Sequence, residues 1–135
     1  MNALAWLVEH RFKSITRRED DYWVLAFDHD ASIRIACLWR LLEEGRVRVT
    51  SEDQGHKFCL PTPADAAAEV QSRLAESIVS EVELRDGTLD VRIHFGTDHT
   101  FEILPNSSGY EAWEATNATD LFIAVGGGDL TSFRC

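Results

Sequence analysis

The sequence predicts an α+β fold in which two pseudo-repeated antiparallel β units are joined by one α-helix, with a short helix at the N-terminus. Three observations lead to this prediction: an internal repeat, alternating apolar residues on both sides of a central segment, and a strong helix start within that segment. Four positions match in order at an offset of 68 residues: Phe27, Asp30, Ile33 and Ile35 precede Phe95, Asp98, Phe101 and Ile103, with an apolar exchange at the third. Trp39 recurs as Trp113 after 74 positions, and Phe58 as Phe133 after 75. We therefore expect two units related by an approximate twofold axis.

The length and composition are those of one domain. The chain has 135 residues, of which 44% are hydrophobic. A chain of this size can bury roughly two-thirds of its unfolded surface, so it needs no disulfide or metal to fold. We expect a single domain over 1–135, with the first repeat over about 1–60, the connecting helix over about 62–76 and the second repeat over about 77–135.

The first repeat predicts a short helix followed by strands. Asn2 can cap a helix that ends near Val8. Strands are expected over residues 12–17, 22–27, 32–37 and 46–49, with an acidic turn at 19–21 and a closing segment at 41–45. The strand at 22–27 is apolar on both faces, which is typical of a strand covered on both sides. In the strand at 46–49, Val47 and Val49 alternate with arginines, so both valines are expected to face the core.

The connecting segment contains the clearest helix signal. Thr62 can serve as the N-cap, Pro63 is suited to the first helical position, and Asp65 suits the positive end of the helix. Residues 66, 70 and 74 are apolar and recur every four positions, which predicts one buried stripe.

The second repeat alternates more regularly than the first. Val82 and Leu84 belong to a strand that ends at the turn 86–87, and residues 89–95 alternate between apolar and polar side chains. After a turn at 96–99, Phe101 and Ile103 are expected to point inward. A polar loop at 105–109, a strand at 121–125, a glycine turn at 126–128 and a final strand at 130–133 complete the unit.

Net charge is unevenly distributed. Residues 1–60 contain 9 basic and 10 acidic side chains, whereas residues 61–135 contain 4 and 13, so most of the net charge of −10 lies in the second half. An acidic surface repels phosphate backbones and argues against nucleic acid as a partner. It suits a basic protein partner, and solubility alone is the competing explanation. No apolar run approaches the ~20 residues that a bilayer requires, so we expect a cytoplasmic protein with no membrane partner.

The sequence offers no catalytic, metal-binding or cofactor-binding motif. The three cysteines have no CxxC spacing, and Cys37 is expected to be a small buried residue. No two of the five histidines have the spacing of a known metal site; the alternative is a two-histidine site at His94 and His99. The three glycines at 126–128 precede no helix, so a hairpin turn is favoured over a phosphate-binding loop. We predict no enzyme activity, no cofactor and no bound transition metal.

The best candidate for a binding surface follows the polar loop at 105–109. Tyrosine and tryptophan beside polar residues are typical of recognition sites. The candidate partner-binding residues are Tyr110, Glu111, Trp113, Glu114 and Asp120. Because Trp113 matches Trp39 in the repeat, a core role is the competing interpretation. Glu111 and Glu114 are three residues apart on a predicted strand and should face opposite sides, which argues against an acid–base pair.

A second candidate surface lies on the strand at 22–27. The repeat places Trp23 inside, which leaves Tyr22, Val24 and Ala26 on the other face. An apolar strip of this kind must be covered either by helices or by another subunit. A homodimer is therefore a further expectation.

One segment resembles a known group of proteins. A strand, a polar loop and Tyr-Glu-Ala-Trp-Glu at 110–114, followed by a strand and a Gly-Gly-Gly turn, resemble an uncharacterised bacterial family of small duplicated β-rich domains. Leu7 and Val8, followed by Arg11, Phe12 and Ile15, are similar to the opening of that family. The resemblance implies no assigned activity, although some such domains act as immunity-type proteins beside secreted toxins. We therefore expect a non-catalytic protein-binding domain; the alternative is a small-molecule binder or enzyme with a pocket between the two repeats.

Overall fold

The computed structural model describes residues 2–19 and 22–134 and consists mainly of antiparallel β-structure in two sheets with a single α-helix. The strands of the described chain are β1 (Phe12–Arg18), β2 (Tyr22–Phe27), β3 (Ser32–Ile35), β4 (Leu38–Glu43), β5 (Arg46–Thr50), β6 (Val79–Leu84), β7 (Val91–Phe95), β8 (His99–Leu104), β9 (Trp113–Thr116), β10 (Asp120–Val125) and β11 (Asp129–Arg134). The helix α1 spans Ala66–Leu74, and short 3-10 helices span Ala5–Leu7 and Ser51–Asp53. Among the described residues, no helix is both long enough and apolar enough to cross a membrane.

The chain crosses twice between the two sheets. One sheet has the order β1-β2-β3-β9-β10-β11, and the other has the order β5-β4-β8-β7-β6. Each sheet therefore contains a three-stranded meander from one half of the chain and neighbouring strands from the other half. Across the two junctions, Trp39 lies opposite Ile103, and Trp113 lies opposite Ile35. Each junction thus pairs a tryptophan with an isoleucine. The tryptophan comes from the first half of the chain at one junction and from the second half at the other.

The positions of the repeated residues agree only in part with the predicted repeat. Phe27 and Phe95 both lie in the middle strand of a meander, and their rings stack with centroids 6.5 Å apart and planes 8° apart. Phe58 and Phe133 do not occupy like elements, because Phe58 lies in a loop and Phe133 lies in β11. The approximate twofold relation stays a prediction.

The inner faces of the two sheets meet in an aromatic core. Trp39 packs edge-on against Trp23 with ring centroids 5.0 Å apart and stacks on Phe101 at 5.1 Å. Phe12 meets Phe95 edge-on at 6.3 Å. Large side chains buried to this degree each stabilise the fold by roughly 1.5–3 kcal/mol relative to exposure. The alternation predicted for residues 89–103 is confirmed, since Val91, Ile93, Phe95, Phe101 and Ile103 are all buried.

The helix begins later than the sequence predicts. Its N-cap is Asp65, whose side chain accepts a hydrogen bond from the Ala68 amide at 3.0 Å. The predicted start at Thr62 and Pro63 is wrong, because the Ala66 amide donates to Gln54 Oε1 at 2.8 Å and ties the preceding segment to the loop after β5. The predicted buried stripe is confirmed: residues 66, 70 and 74 are the buried residues of α1.

The helix also closes one edge of the six-stranded sheet. Gln71 accepts a hydrogen bond from the Ile15 amide at 3.3 Å and donates one to the Lys13 carbonyl at 2.9 Å. One side chain thereby satisfies backbone groups that the edge strand β1 would otherwise leave unpaired.

Three local predictions for the first half need correction. Residues 41–45 do not simply close a hairpin, since they include half of β4. An irregularity between Leu41 and Leu42 in the pairing with β5 buries both leucines. This shift leaves Val47 56% exposed, so the prediction that both valines face the core is correct for Val49 alone. The opening helix is only a 3-10 turn, and Asp20 and Asp21 of the predicted acidic turn lie outside the described residues.

Candidate functional site

A groove of about 850 Å³ lies at the end of the six-stranded sheet, where the segments that cross between the sheets meet. Arg34 of β3 and Glu114 of β9 line its sheet side. Residues 36–37, 106–107 and 109–113 line the remainder. The groove therefore includes most of the binding surface that the sequence predicts.

The loop before β9 presents Tyr110 to solvent. Ser107 Oγ accepts hydrogen bonds from the amides of Gly109 and Tyr110, both at 3.1 Å. This turn holds the backbone so that Tyr110 remains 81% exposed at the margin of the groove. An exposed aromatic side chain on a hydrogen-bonded loop offers contact area at a small entropic cost.

Glu111 and Glu114 both line the groove, so the prediction that they face opposite sides is wrong. The strand alternation fails between them because Ala112 and Trp113 are consecutive and both buried. Ala112 is held on both sides: its amide donates to the Ala124 carbonyl at 2.9 Å and its carbonyl accepts from the Ala36 amide at 2.8 Å.

Two of the predicted partner-binding residues contribute no exposed side chain to the groove. Trp113 is 1% exposed, and its indole Nε1 donates to the Leu89 carbonyl at 3.0 Å, so its side chain serves the core. Asp120 lies at the far end of β10, where it accepts a hydrogen bond from the Thr119 hydroxyl at 2.8 Å and lies 3.9 Å from Arg134. The groove brings together Tyr110, Glu111 and Glu114 and leaves Asp120 outside.

Cys37 lines the groove and is partly buried, rather than fully buried as the sequence predicts. Burial raises the pKa of its thiol from 9.0 to about 12, outweighing the opposing hydrogen bond with the Leu104 backbone. The nucleophilic form of cysteine is the thiolate, so the raised pKa lowers the reactive fraction of this thiol near neutral pH. Among the described lining residues there is no histidine to act as its base.

Cys37 is therefore expected to react with iodoacetamide roughly a thousandfold more slowly than an ordinary thiol, because a pKa raised by about three units lowers the thiolate fraction by that factor. The exposed Cys59 serves as the internal comparison. Peptide mass spectrometry after timed labelling at a mildly alkaline pH measures both residues in the native protein and again in urea. Equal rates for the two cysteines in the native protein would contradict a raised pKa for the partly buried Cys37 thiol.

Glu81, Glu83 and His94 form the one group of possible metal ligands found among the described residues. One ligand atom from each lies within 4.8 Å of the others. His94 Nε2 is 2.5 Å from Glu83 Oε2, and this hydrogen bond holds the pKa of Glu83 below its usual range. His94 Nδ1 lies 3.1 Å from the Thr100 hydroxyl. The sequence could not reveal this group, because it depends on the register that pairs Glu81 with His94 across two strands.

The glycines at 126–128 form a hairpin turn between β10 and β11, as the sequence predicts. They lie against two other loops. A Cβ added at Gly126 would lie 2.6 Å from the carbonyl carbon of Gly109, and one at Gly128 would lie 1.9 Å from the carbonyl oxygen of Gly87. The turn requires glycine to let three loops approach closely, and these loops form the end of the sandwich beside the groove.

No family model, no curated protein and no solved structure matches this chain. The resemblance to a bacterial family of duplicated β-rich domains therefore stays an expectation.

Proposed function

We propose that this protein is a non-catalytic protein-binding domain whose groove beside the 105–109 loop docks a basic partner. The observation that carries the proposal is the combination of Tyr110, 81% exposed at the margin, with the carboxylate of Glu111 in the groove. Exposed aromatic residues supply much of the binding energy at protein interfaces, and carboxylates select a cationic segment.

The charge distribution supports the same partner class. Of the net charge of −10, nearly all is contributed by residues 61–135, which include the groove loop. Such a field accelerates association with a basic protein and is screened beyond about 8 Å at physiological ionic strength. A toxin-neutralising, immunity-type role is the specific form of this proposal, and it rests on the family resemblance.

The second candidate function is small-molecule binding. A volume of about 850 Å³ falls within the range of about 300–1,000 Å³ that is usual for ligand pockets. The groove also lies where the two halves of the chain meet. A thermal-shift screen against a metabolite library separates the two functions, because a small-molecule site is stabilised by its ligand in the absence of any protein.

The internal duplication is part of the proposal. We infer that residues 12–50 and 79–125 descend from one unit, with the hairpin of each half completing the other half's meander. The support is the exchanged pairing of Trp39 with Ile103 and of Trp113 with Ile35, together with the 68-residue offset between Ile35 and Ile103.

A pair of variants tests the docking groove. Tyr110→Ala is expected to weaken binding by about tenfold to a hundredfold, because it removes a large exposed contact residue. Glu111→Gln is expected to slow association several-fold at low salt and to have little effect at high salt. Binding is measured by surface plasmon resonance against the product of the neighbouring gene or, failing that, a synthetic arginine-rich peptide.

Phe58→Ala is the matched control, since Phe58 is an aromatic residue 60% exposed in a different loop. All three variants should melt at the wild-type temperature, because the altered side chains are exposed. Binding that is unchanged by Tyr110→Ala and by Glu111→Gln would reject the groove as the docking site.

A further inference from the structure

The described residues on the outer face of the six-stranded sheet are half-buried or exposed, in contrast to the buried residues of its inner face. Helix α1 contacts β1 and β5 and closes the gap between the two sheets. It therefore does not cover the strip formed by Tyr22, Val24 and Ala26, which are all half-buried. The sequence predicts that this strip is covered either by helices or by another subunit. Since α1 does not lie over the strip, a second subunit is the alternative that we consider.

The side chains on this face form an approximate palindrome. The strand register places six residues in one row across the sheet: Thr16, Val24, Arg34, Glu114, Ile123 and Thr131. From either edge the row reads hydroxyl, branched aliphatic, charged. In the next row Ser32 and Thr116 occupy the centre, with their hydroxyl oxygens 3.2 Å apart, and Ala26 and Leu121 flank them.

This palindrome makes the face complementary to a second copy of itself. A twofold axis parallel to the strands and midway between β3 and β9 places Arg34 over Glu114 of the second copy, and Glu114 over Arg34 of that copy. The same rotation stacks Val24 on Ile123 of the second copy. Two sheets packed in this way run nearly parallel, at the angle of about −30° that is common in β-sandwiches.

The two central charges are available for such contacts. The described structure gives no ion pair to Arg34 or Glu114, although they are cross-strand neighbours. The guanidinium of Arg34 instead lies 3.9 Å from the centroid of the Tyr22 ring. The twofold axis would create two equivalent ion pairs, so that each of the four charges is paired once. These pairs would both stabilise the dimer and fix the register of the two sheets.

The outer face of the other sheet provides the contrast. There Glu102 is buried between two arginines, with Arg40 Nε at 2.5 Å and Arg92 Nε at 3.0 Å. The charged side chains at the centre of that face are therefore already paired with one another within the chain. Among the described residues, the central charges of the six-stranded sheet are better suited to pair with a second copy.

We propose that the protein forms a twofold homodimer through the outer face of the six-stranded sheet, with Arg34 of each copy paired with Glu114 of the other. Six strands about 4.8 Å apart and about five residues long give a footprint of about 500 Å² per copy. A total near 1,000 Å² is at the low end for specific interfaces, so the dissociation constant should lie at about 1–100 μM.

Sedimentation equilibrium over a concentration series tests the dimer. The wild-type protein should sediment as a dimer at high concentration and dissociate on dilution. Arg34→Glu and Glu114→Arg should each weaken the dimer by about tenfold or more, because each places like charges together at two symmetric contacts. A wild-type protein that remains monomeric at every concentration would overturn the proposal.

Mixing the two charge variants distinguishes this geometry from a general effect on folding. In an equimolar mixture, the glutamate introduced at position 34 of one variant meets the arginine introduced at position 114 of the other. At the second contact the two unaltered side chains, Glu114 and Arg34, meet as in the wild type. The mixture should therefore dimerise as well as the wild-type protein, although neither variant does so alone. No recovery on mixing would overturn the proposed pairing.

Two further variants complete the design. Arg46→Glu makes the same change in net charge as Arg34→Glu, at an exposed position of β5 in the other sheet, and it should leave the dimer intact. Ile123→Asn alters the aliphatic contact and should weaken the dimer without changing the net charge. A dimer that is insensitive to Ile123→Asn and to both charge variants would place the interface elsewhere. Arg34 and Glu114 also line the docking groove, so their variants are read only by sedimentation. Docking is tested with Tyr110→Ala and Glu111→Gln, which leave both dimer contacts unaltered, so the two proposals fail separately.

Discussion

Gly128→Ala is expected to lower the free energy of unfolding by about 3–4 kcal/mol, whereas Gly127→Ala should lower it by about 1–2 kcal/mol. The two glycines are neighbours with nearly the same backbone geometry, at φ +87° and +85°. Both alanine variants therefore incur the cost of a left-handed conformation. They differ in the room available for the added methyl group. A Cβ at Gly128 would lie 1.9 Å from the Gly87 carbonyl oxygen, whereas at Gly127 the nearest atom is the Ser108 carbonyl oxygen at 3.6 Å.

Urea unfolding followed by tryptophan fluorescence measures both variants against the wild type. The difference between them isolates the contact of the glycine turn with the turn at 86–88, because the backbone cost cancels. Equal destabilisation of the two variants would show that this contact relaxes at no cost.

Replacing either central tryptophan by alanine should be the most damaging change in the core. Trp39 and Trp113 are each 1% exposed, and loss of such a side chain costs about 3–5 kcal/mol. Replacement of each tryptophan by phenylalanine separates the contribution of the indole N–H from that of ring packing. Trp113 donates to the Leu89 carbonyl at 3.0 Å, whereas the buried Nε1 of Trp39 has no hydrogen-bond partner among the described residues.

Trp113→Phe should therefore cost about 1–3 kcal/mol more than Trp39→Phe, because it leaves the Leu89 carbonyl without its donor. Trp39→Phe removes an unsatisfied polar group, which offsets part of the lost packing. Chemical denaturation of the four single variants gives the comparison. If Trp39→Phe proved the more harmful of the two phenylalanine variants, packing volume rather than the hydrogen bond would govern both sites.

Local patterns predicted the strands better than they predicted what the strands contact. The bounds of β2 are those predicted, and the alternation in β7 and β8 identified their buried apolar residues correctly. A period of two shows that one face is buried, but it does not say in which sheet a strand lies. The crossings that bring Trp39 beside Ile103 and Trp113 beside Ile35 depend on long-range pairing, which the sequence does not display.

The candidate site was only partly predicted, because part of it also depends on long-range strand pairing. Exposed aromatic and acidic residues beside a polar loop indicated Tyr110, Glu111 and Glu114, and all three line the groove. The contribution of Arg34 was missed because β3 and β9 are far apart along the chain and meet only through the strand pairing. The side on which Glu111 lies was also mispredicted, because consecutive burial of Ala112 and Trp113 interrupts the strand pattern.

The two crossings of the chain between the sheets make its folding depend on long-range strand pairing. The meander β1-β2-β3 is flanked on its inner side by β9, and the meander β6-β7-β8 is flanked by β4. Neither half of the chain can complete a sheet by itself, and each junction closes a loop that spans roughly half of the chain. Closure of such loops is entropically costly before the contacts form, so we expect the folding rate to be among those of slow β proteins. We therefore expect the two halves to gain their structure together, in one cooperative transition.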